Sequence, residues 1–208
     1  GGSLVWAAFS RNKRGLELAA EDADARARLL ELAAEADVLI ESPDRASGWD
    51  PLGDLGLDRA ELAACNPGLV HVSVTPFGAS GPKARALATD LTLMAASGVL
   101  YLCGEPDKPV RLSVPQAWLH GAADAAVGAL LALSERRASG RGQHVDAAVQ
   151  QSLTLATLCR SLDAPLGSEP ARRTGTRTRL GGIEVRSLYP SRDGWVVVTP
   201  GIATVSPA

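Results

Sequence analysis

Residues 36–78 read ADVLIESPDRASGWDPLGDLGLDRAELAACNPGLVHVSVTPFG, and this stretch decides the fold class. Its two apolar runs, Asp37 to Ile40 and Leu69 to Thr75, are typical of strands in a sheet that is covered on both faces. Between them, Asp58 to Cys65 is predicted to form a short helix, capped by Asp58 and ended by Asn66-Pro67-Gly68. A strand, a crossover helix and a second strand in this order predict a parallel sheet.

Segments on both sides extend this pattern. Arg14 to Leu18 is predicted to be a further strand, and Asp24 to Ala36 an amphipathic helix. Asp90 to Ser97 predicts a helix that ends at Gly98. The longest predicted helix is Val114 to Ala138, which Gly140 would end. Apolar residues recur along this helix at helical spacing and are expected to form the face that packs in the core. They are Leu119, Ala123, Val127, Leu130 and Leu131.

The last third of the chain predicts a helix and then a β element. A second helix is expected from about Ala147 to Leu162, directly after Gln143 to Asp146. An arginine-rich segment with Gly, Pro and Thr follows and is predicted to be a linker. Two short strands, Ile183 to Leu188 and Trp195 to Thr199, flank a polar turn and predict a hairpin.

The composition argues against several classes of function. The chain has 208 residues and a formal net charge of −2, so no strong field favours nucleic acid or an anionic membrane. No apolar run approaches the ~20 residues of a membrane span. The cysteines Cys65, Cys103 and Cys159 lie far apart without CxxC spacing, which indicates a reducing compartment rather than a disulfide framework or a zinc site. We therefore expect a cytoplasmic protein with no nucleic-acid partner, no membrane and no metal.

Several short motifs follow one another in a fixed order. They are Asn12 to Leu18, Ala36 to Glu41, Asn66 to Val70, Pro76 to Pro82, Thr89-Asp90 with Ser97-Gly98, Gly140 to Asp146, and Tyr189-Pro190 with Asp193-Gly194-Trp195. In this order they resemble the family III CoA-transferases, the CaiB/BaiF-like group typified by formyl-CoA and carnitine-CoA transferases. The resemblance covers residues 10–199.

The resemblance implies an α/β fold: an open, mostly parallel sheet with flanking helices, followed by the start of a small β-containing domain. The large domain would occupy residues 1–162, a linker residues 163–180 and the small-domain hairpin residues 181–208. The chain is expected to be a fragment that lacks both ends of the family fold. Family members form dimers whose chains thread through one another, which implies a homodimer or a heterodimer with a family III paralogue.

The resemblance also implies a chemistry. Family enzymes move CoA between carboxylic acids: a carboxylate nucleophile attacks the acyl-CoA thioester and gives a mixed anhydride, then an enzyme–CoA thioester. The implied ligands are CoA or acyl-CoA and a small carboxylic acid, without a metal. Racemases of α-methylacyl-CoA share the fold and use His and Asp for proton transfer.

The chain departs from the family pattern where the nucleophile is expected. The family aspartate lies near the start of the long helix, and counting back from Gly128 places it at Ala117 or Trp118. Neither side chain can attack a thioester. Asp124 lies seven residues after Ala117, about 10 Å along the helix axis, which is too far for a simple replacement. Thr89 replaces the residue that supplies the racemase histidine, so the racemase pair is not intact either.

Three residues remain as weak catalytic candidates. His120 and Asp124 are spaced i, i+4 and could form an acid–base pair or an ordinary surface pair. Asp90 could border the acyl-CoA site or cap the helix that begins there. Trp118 could stack on a ligand or fill the space of the missing aspartate.

By family position, several segments are predicted to border CoA. Their side chains have changed from the family pattern, so the expected contacts are mainly through the backbone. The predicted cofactor-binding residues are Leu18, Ala19, Ala20, Glu21, Ser42, Pro43, Asp44, Leu87 and Asp90.

The sequence leaves three functional hypotheses open. The first is a family III CoA-transferase, in which this chain is the non-catalytic subunit of a heteromer or transfers CoA without an enzyme-bound intermediate. The second is an acyl-CoA-binding or structural subunit without chemistry. The third is an acyl-CoA racemase or isomerase, against which the missing histidine and aspartate argue.

Overall fold

The structure is a computed structural model that describes residues 3–19, 21–22, 24–44, 46–157, 160–163, 165–173, 175–180 and 183–198. A 3-10 helix covers Arg160–Leu162. Within the described ranges the α-helices are α1 (Leu4–Phe9), α2 (Ala25–Glu35), α3 (Pro51–Asp54), α4 (Arg59–Cys65), α5 (Asp90–Ala96), α6 (Val99–Leu102), α7 (Ala117–Ser139) and α8 (Val149–Leu155).

The strands form one parallel sheet and several antiparallel pairs. The parallel sheet has the order β1-β2-β5, with Val38 opposite Val70 and His71 opposite His144. The antiparallel pairs are β3 with β4, β6 with β7, and β8 with β9. The strands are β1 (Val38–Glu41), β2 (Val70–Thr75), β3 (Gly104–Glu105), β4 (Lys108–Pro109), β5 (His144–Ala148), β6 (Arg177–Leu180), β7 (Ile183–Arg186), β8 (Leu188–Pro190) and β9 (Trp195–Val197).

Helices cover both faces of the parallel sheet, which confirms the predicted fold class. On the side that we call the α7 face, the valines of β2 pack with Ala117, Ala125 and Ala129 of α7. On the opposite side, the α4 face, Leu69 packs with Ala33 of α2, with Leu62 of α4 and with Leu39. Because successive strand residues point to opposite faces, Val70, Val72 and Val74 of β2 lie on the α7 face, and His71, Ser73 and Thr75 point to the other side. The strand is buried on both faces, as predicted, but it is apolar on only one of them.

The core face of α7 differs from the prediction. Its buried residues are small, namely Ala117, Gly121, Ala125, Ala129 and Ala132. The predicted stripe points outward instead: Leu130 and Leu131 are each 66% exposed, and Leu119 and Val127 are exposed as well. The small residues let α7 lie close to the sheet, since a Cβ added at Gly128 or Gly121 would overlap the side chain of Val145 or Val149.

Two strand predictions need correction. Residues Arg14 to Leu18 form no strand, although they are within the described part of the chain. Residues His144 to Asp146, in the segment expected only to lead into a helix, belong to β5, the third strand of the parallel sheet, which also includes Ala147 and Ala148 from the predicted helix. The helix that follows is shorter than predicted, because α8 ends at Leu155.

The C-terminal β elements partly follow the predicted hairpin. Strand β8 pairs with β9 around the turn at Ser191 to Gly194, where Ser191 N–H donates to Gly194 O at 2.8 Å. The preceding strand, β7, pairs back onto β6, at the end of the segment predicted as a linker. The division into domains at residues 162 and 181 stays a prediction.

By length and composition alone, α7 could cross a membrane, in contrast to the expectation that no segment is long enough. The core helix of a soluble protein has the same length and composition, so this feature is weak evidence for a membrane span. The buried alanines of α7 are packed on the sheet.

Candidate functional site

A largely apolar cavity of about 450 Å³ opens where β1 ends. Open α/β sheets bind ligands beyond the carboxyl ends of their strands, so the position is typical of a ligand site. Two of the predicted CoA contacts, Leu18 and Ser42, lie on its wall. The lining residues are Leu18, Leu29, Leu39, Ile40, Glu41, Ser42, Trp49, Pro51, Leu52, Asp54 and Leu55, and none of these is basic.

The loop after β1 holds Trp49 at this cavity. Trp49 N–H donates to Asp44 O at 3.0 Å, and the Asp44 carboxylate accepts from the N–H groups of Ala46 and Ser47. The hydrogen bonds from Ser47, first that from its side chain, lower the pKa of Asp44, and those from the backbone N–H groups of Ser47 and Ala46 act in the same direction. Because the Asp44 carboxylate closes this turn, its structural role is to present the 55% exposed indole of Trp49.

Asp90 joins two helices. It is the first residue of α5, whose N-cap is Thr89, and its side chain reaches the start of α7. Asp90 Oδ1 accepts from Ala117 N–H at 2.9 Å, where the N-cap residue of α7, Gln116, makes no side-chain cap. Asp90 Oδ2 is buried without a hydrogen bond, and the Arg111 guanidinium lies 3.8 Å away, at ion-pair distance. The carboxylate therefore caps α7, not the helix that begins at Asp90.

The start of α7 is a packed region. Ala117 is 0% exposed, and the half-buried Trp118 packs against the core of the α7 face. Asp124 is exposed further along the helix, and His120 is half-buried. Within the described part of the chain no hydrogen bond or ion pair joins His120 to Asp124. The two residues therefore lie on one helix, and the acid–base pair that their spacing left open is not formed.

A polar cluster lies on the α4 face of the sheet. Arg59 Nη1 contacts His144 Nδ1 at 2.9 Å, His144 Nε2 contacts Ser73 Oγ at 2.9 Å, and Ser73 Oγ donates to Glu41 Oε1 at 2.6 Å. His71 Nε2 lies 3.1 Å from the same Glu41 oxygen but is not aligned for a hydrogen bond. Burial, then the nearby His71 and Arg59, lower the pKa of His144 below its ordinary value. The cluster thus favours the neutral form of His144.

A family model for CoA-transferase family III matches residues 1–205. The chain belongs to CoA-transferase family III. Within this family it is similar to a subunit, BbsE, of succinyl-CoA:(R)-benzylsuccinate CoA-transferase from Thauera aromatica, with 35% identity over 94% of this chain and 46% of that protein. It is also similar to succinyl-CoA–D-citramalate CoA-transferase from Chloroflexus aurantiacus, with 29% identity over 99% of this chain and 50% of that protein.

A solved structure of a CAIB/BAIF family protein from Brucella suis shares the fold, with a TM-score of 0.79 and 27% identity. The match covers 91% of this chain and 49% of the Brucella protein. The family III chain thus spans about half the length of the curated relatives and the solved structure that it matches.

The other residues that the family position predicted to contact CoA do not lie together in this family III chain. Ala19 and Glu21 are exposed beside Leu18, Pro43 is buried, and Ala20 lies outside the described residues. Leu87 is exposed on the loop before α5. Leu18 and Ser42 line the β1 cavity together, whereas the structure gives Leu87 and Asp90 no place on its wall. In the described ranges, no group of His, Cys, Asp and Glu residues is arranged to hold a metal ion.

Sequence reasoning missed most of the cavity wall. Trp49 carried a usable signal, because a large aromatic residue in a Gly, Pro and Asp-rich loop is seldom placed for core packing. Leu29, Leu52 and Leu55 carried none, since an apolar residue on a helix or loop predicts burial whether or not it borders a cavity.

Proposed function

We propose that this chain is part of a family III CoA-transferase that moves CoA between an acyl-CoA and a carboxylic acid, and that the nucleophilic aspartate comes from a partner subunit. The start of α7 carries this proposal. At the positions that match the family aspartate, a fully buried alanine and a core-packed tryptophan leave no carboxylate. Attack on a thioester needs an accessible nucleophile, which these side chains do not provide.

The other carboxylates near the start of α7 are poor replacements. Asp90 Oδ1 is engaged by a helix N–H and Oδ2 is shielded from solvent, so neither oxygen can approach a thioester without giving up the cap. Asp124 is accessible, but it lies two turns along α7 from the expected position. In a heteromer, a sister chain would supply the nucleophilic aspartate that the start of α7 lacks.

The names of several relatives support a heteromer. The Thauera relative is one subunit of its transferase. The Chloroflexus succinyl-CoA–L-malate CoA-transferase has α and β subunits, both similar to this chain, with 30% and 34% identity. These names also support the proposed ligands, a CoA thioester and a small carboxylic acid.

The β1 cavity is our proposed contact with the CoA moiety. Its apolar wall, with the exposed indole of Trp49, suits a neutral or aromatic part of the ligand, while its acidic side chains, Glu41 and Asp54, disfavour the phosphates. Leu18 and Ser42 are the predicted contacts that lie there. The phosphates of CoA would then be bound outside this cavity.

The proposal is tested by trapping the acyl-enzyme. The chain would be incubated with succinyl-CoA and a panel of carboxylates, alone and with a family III subunit from the same source, and then treated with hydroxylamine. We expect adducts only on the partner by mass spectrometry, and no turnover by this chain alone. An adduct on this chain would contradict the proposal, and Asp90→Asn and Asp124→Asn variants would show which carboxylate carries it.

An acyl-CoA-binding subunit without chemistry is the second candidate. The β1 cavity favours it, because a ligand-sized space is present although the start of α7 carries no carboxylate. Calorimetric titration with CoA separates the two candidates. Binding of CoA without turnover in the presence of any family III partner would favour the binding subunit.

A further inference from the structure

The first residue of α4, Arg59, reaches across to the parallel sheet. Its Nη1 contacts Nδ1 of His144, the first residue of β5, at 2.9 Å. Arg59 is exposed, whereas His144 is half-buried in the polar cluster of the α4 face. The contact therefore joins the start of a surface helix to a strand of the sheet, and solvent is open to the guanidinium if the contact breaks.

The neighbouring hydrogen bonds determine which nitrogen of His144 carries the proton. An ionised Glu41 carboxylate only accepts, so Ser73 donates its hydroxyl proton to Glu41 Oε1 at 2.6 Å. The Ser73 oxygen then accepts from His144 Nε2–H at 2.9 Å. His144 Nδ1 is left with a lone pair, which accepts from Arg59. The neutral ring with its proton on Nε2 is thus the form that satisfies both neighbours.

A second proton on His144 is incompatible with the Arg59 contact. The proton can bind only at Nδ1, where the neutral ring has its lone pair. The imidazolium then turns an N–H toward the N–H of the Arg59 guanidinium, so two donors and two positive charges face each other. The bond from Nε2–H to Ser73 is unaffected, and it holds the ring in place while Arg59 is repelled.

Charged and titratable groups face His144 from every element around it. They are Arg59 and Asp58 at the start of α4, Asp50 before α3, Glu41 on β1, His71 on β2 and Asp146 on β5 itself. Burial, then His71 and Arg59, lower the pKa of His144 from 6.5, whereas Asp146 and Glu41 raise it. Protonation therefore takes place below pH 6.5, and the nearby carboxylates stabilise the imidazolium once Arg59 has left.

We propose that the contact between Arg59 and His144 is a pH-sensitive latch that holds the start of α4 to β5. The latch is closed while His144 is neutral. Protonation of His144 releases the Arg59 side chain into solvent and loosens the first turn of α4 from the sheet. The rest of the helix stays in place, because Leu62 is packed in the core of the α4 face.

Opening of the latch changes the shape of the α4 face. Two cavities, of about 510 Å³ and about 380 Å³, both have Arg59 and His144 in their walls. Arg59 is an exposed side chain of this shared wall, so its departure joins the two cavities. The protonation state of His144 therefore decides whether this face presents two separate cavities or one continuous groove along α4.

The latch is tested by NMR on the full chain between about pH 7.5 and about pH 5. At the higher pH we expect the ¹⁵N shifts of His144 to place the proton on Nε2. Leu62 N–H donates to Asp58 O at 3.1 Å in the first turn of α4, and Asn66 N–H donates to Leu62 O at 2.9 Å at its end. On acidification, Leu62 should lose about tenfold more protection against hydrogen exchange than Asn66, as the loss of one hydrogen bond allows.

Two variants separate the latch from general acid destabilisation. His144→Gln keeps a donor and an acceptor but does not titrate, so the ratio of the Leu62 and Asn66 protection should be the same at both pH values. Arg59→Met keeps an apolar stem without a donor, and His144 should then titrate at a higher pH than in the unaltered chain. The control Arg28→Met removes a charge from exposed α2 and should leave the titration of His144 unchanged.

Three results would overturn the inference. They are a neutral His144 with its proton on Nδ1, equal loss of protection at Leu62 and Asn66, and an unchanged titration of His144 in Arg59→Met. If a variant does not fold, the first two measurements on the unaltered chain decide. Because none of them involves CoA or a partner subunit, their outcome is independent of the proposed transferase role.

Discussion

Arg136 connects the end of α7 to the sheet. Its Nη1 donates to Gly68 O at 2.9 Å, in the turn before β2, and its Nη2 contacts Asp37 Oδ1 at 2.6 Å, just before β1. The planar guanidinium makes both contacts at once, which a lysine ammonium on a flexible stem cannot reproduce. A single side chain thus ties a helix to the starts of two strands.

We expect Arg136→Lys to lower the free energy of unfolding by about 1–2 kcal/mol, because at least one of these hydrogen bonds is lost while the charge is kept. Urea denaturation followed by circular dichroism measures the change. Arg137→Lys, at the exposed neighbouring position, is the matched control and should leave the midpoint unchanged. Equal midpoints for the two variants would show that the guanidinium contacts contribute nothing.

Gly142 lies where the backbone of two segments meets. Its N–H donates to Pro67 O at 2.8 Å, and a Cβ at this position would overlap the Leu69 carbonyl oxygen. Gly142→Ala should therefore destabilise the chain by about 1–3 kcal/mol, since backbone must move to make room. Gly15→Ala, whose Cβ would meet nothing within 4 Å, is the control in the same thermal melts. If Gly142→Ala melted at the same temperature as Gly15→Ala, a Cβ at position 142 would not be crowded by the Leu69 backbone.

At the scale of the elements, α5 and α7 depend on each other through Asp90. Asp90 belongs to α5 but its carboxylate caps the first N–H of α7, so the two helix starts meet at one negative charge. This contact sets where α7 begins, and with it the positions of Ala117 and Trp118. The element that carries the family nucleophile position is thus held by a neighbouring helix.

Asp90→Ala should reduce stability by about 1 kcal/mol, the usual effect of losing a helix cap. Asp90→Asn keeps an acceptor oxygen without the charge and should fall between Asp90→Ala and the unaltered chain. Chemical denaturation of all three proteins gives this order, with exposed Asp124→Ala as the control within α7. If Asp90→Ala and Asp124→Ala were equally stable, the cap would have no role.

At the scale of the whole molecule, the parallel sheet is apolar on one face and partly polar on the other. The valines of β2 meet α7, whereas His71, Ser73 and His144 turn toward α4. Parallel sheets are usually buried by apolar side chains on both faces, so a histidine pair and a carboxylate in this position are exceptional. Their pairing makes the stability of the whole sheet sensitive to pH.

Burial, His71 and Arg59 hold the pKa of His144 below its ordinary value of 6.5, against the weaker opposite effects of Asp146 and Glu41. The folded chain therefore binds fewer protons at this site than the unfolded chain. The contribution of neutral His144 to the free energy of unfolding is therefore fully present above pH 6.5. It decreases as the pH falls from 6.5 toward the lower pKa that His144 has in the folded chain.

We expect the free energy of unfolding to decrease with acidification over this range, and the decrease to be smaller in His144→Gln. Urea titrations at a series of pH values give the two slopes. His120→Gln, which leaves the polar cluster intact, should keep the slope of the unaltered chain. A His144→Gln slope as steep as that of His120→Gln would assign the pH dependence to other groups.

The local patterns of the sequence were sufficient for much of the fold. The apolar runs predicted β1 and β2, Asp58 predicted the start of α4, where it forms a capping box with Glu61, and Gly140 predicted the end of α7, where its φ is +73°. The order of short motifs identified the family. Each of these signals acts through a residue and its nearest neighbours in the chain, so the sequence alone contains it.

Only the tertiary structure decided which surfaces meet. Leucines at helical spacing on α7 predicted a core, yet the alanine face is buried, because the helix packs closely on the sheet and only small side chains fit there. The segment at 144–148 is a strand because β2 pairs with it, although its own composition does not predict one. The β1 cavity and the α4-face cluster depend in the same way on residues distant in sequence. A sequence specifies the propensity of each segment, but a cavity or a buried face exists only between segments, so packing alone determines it.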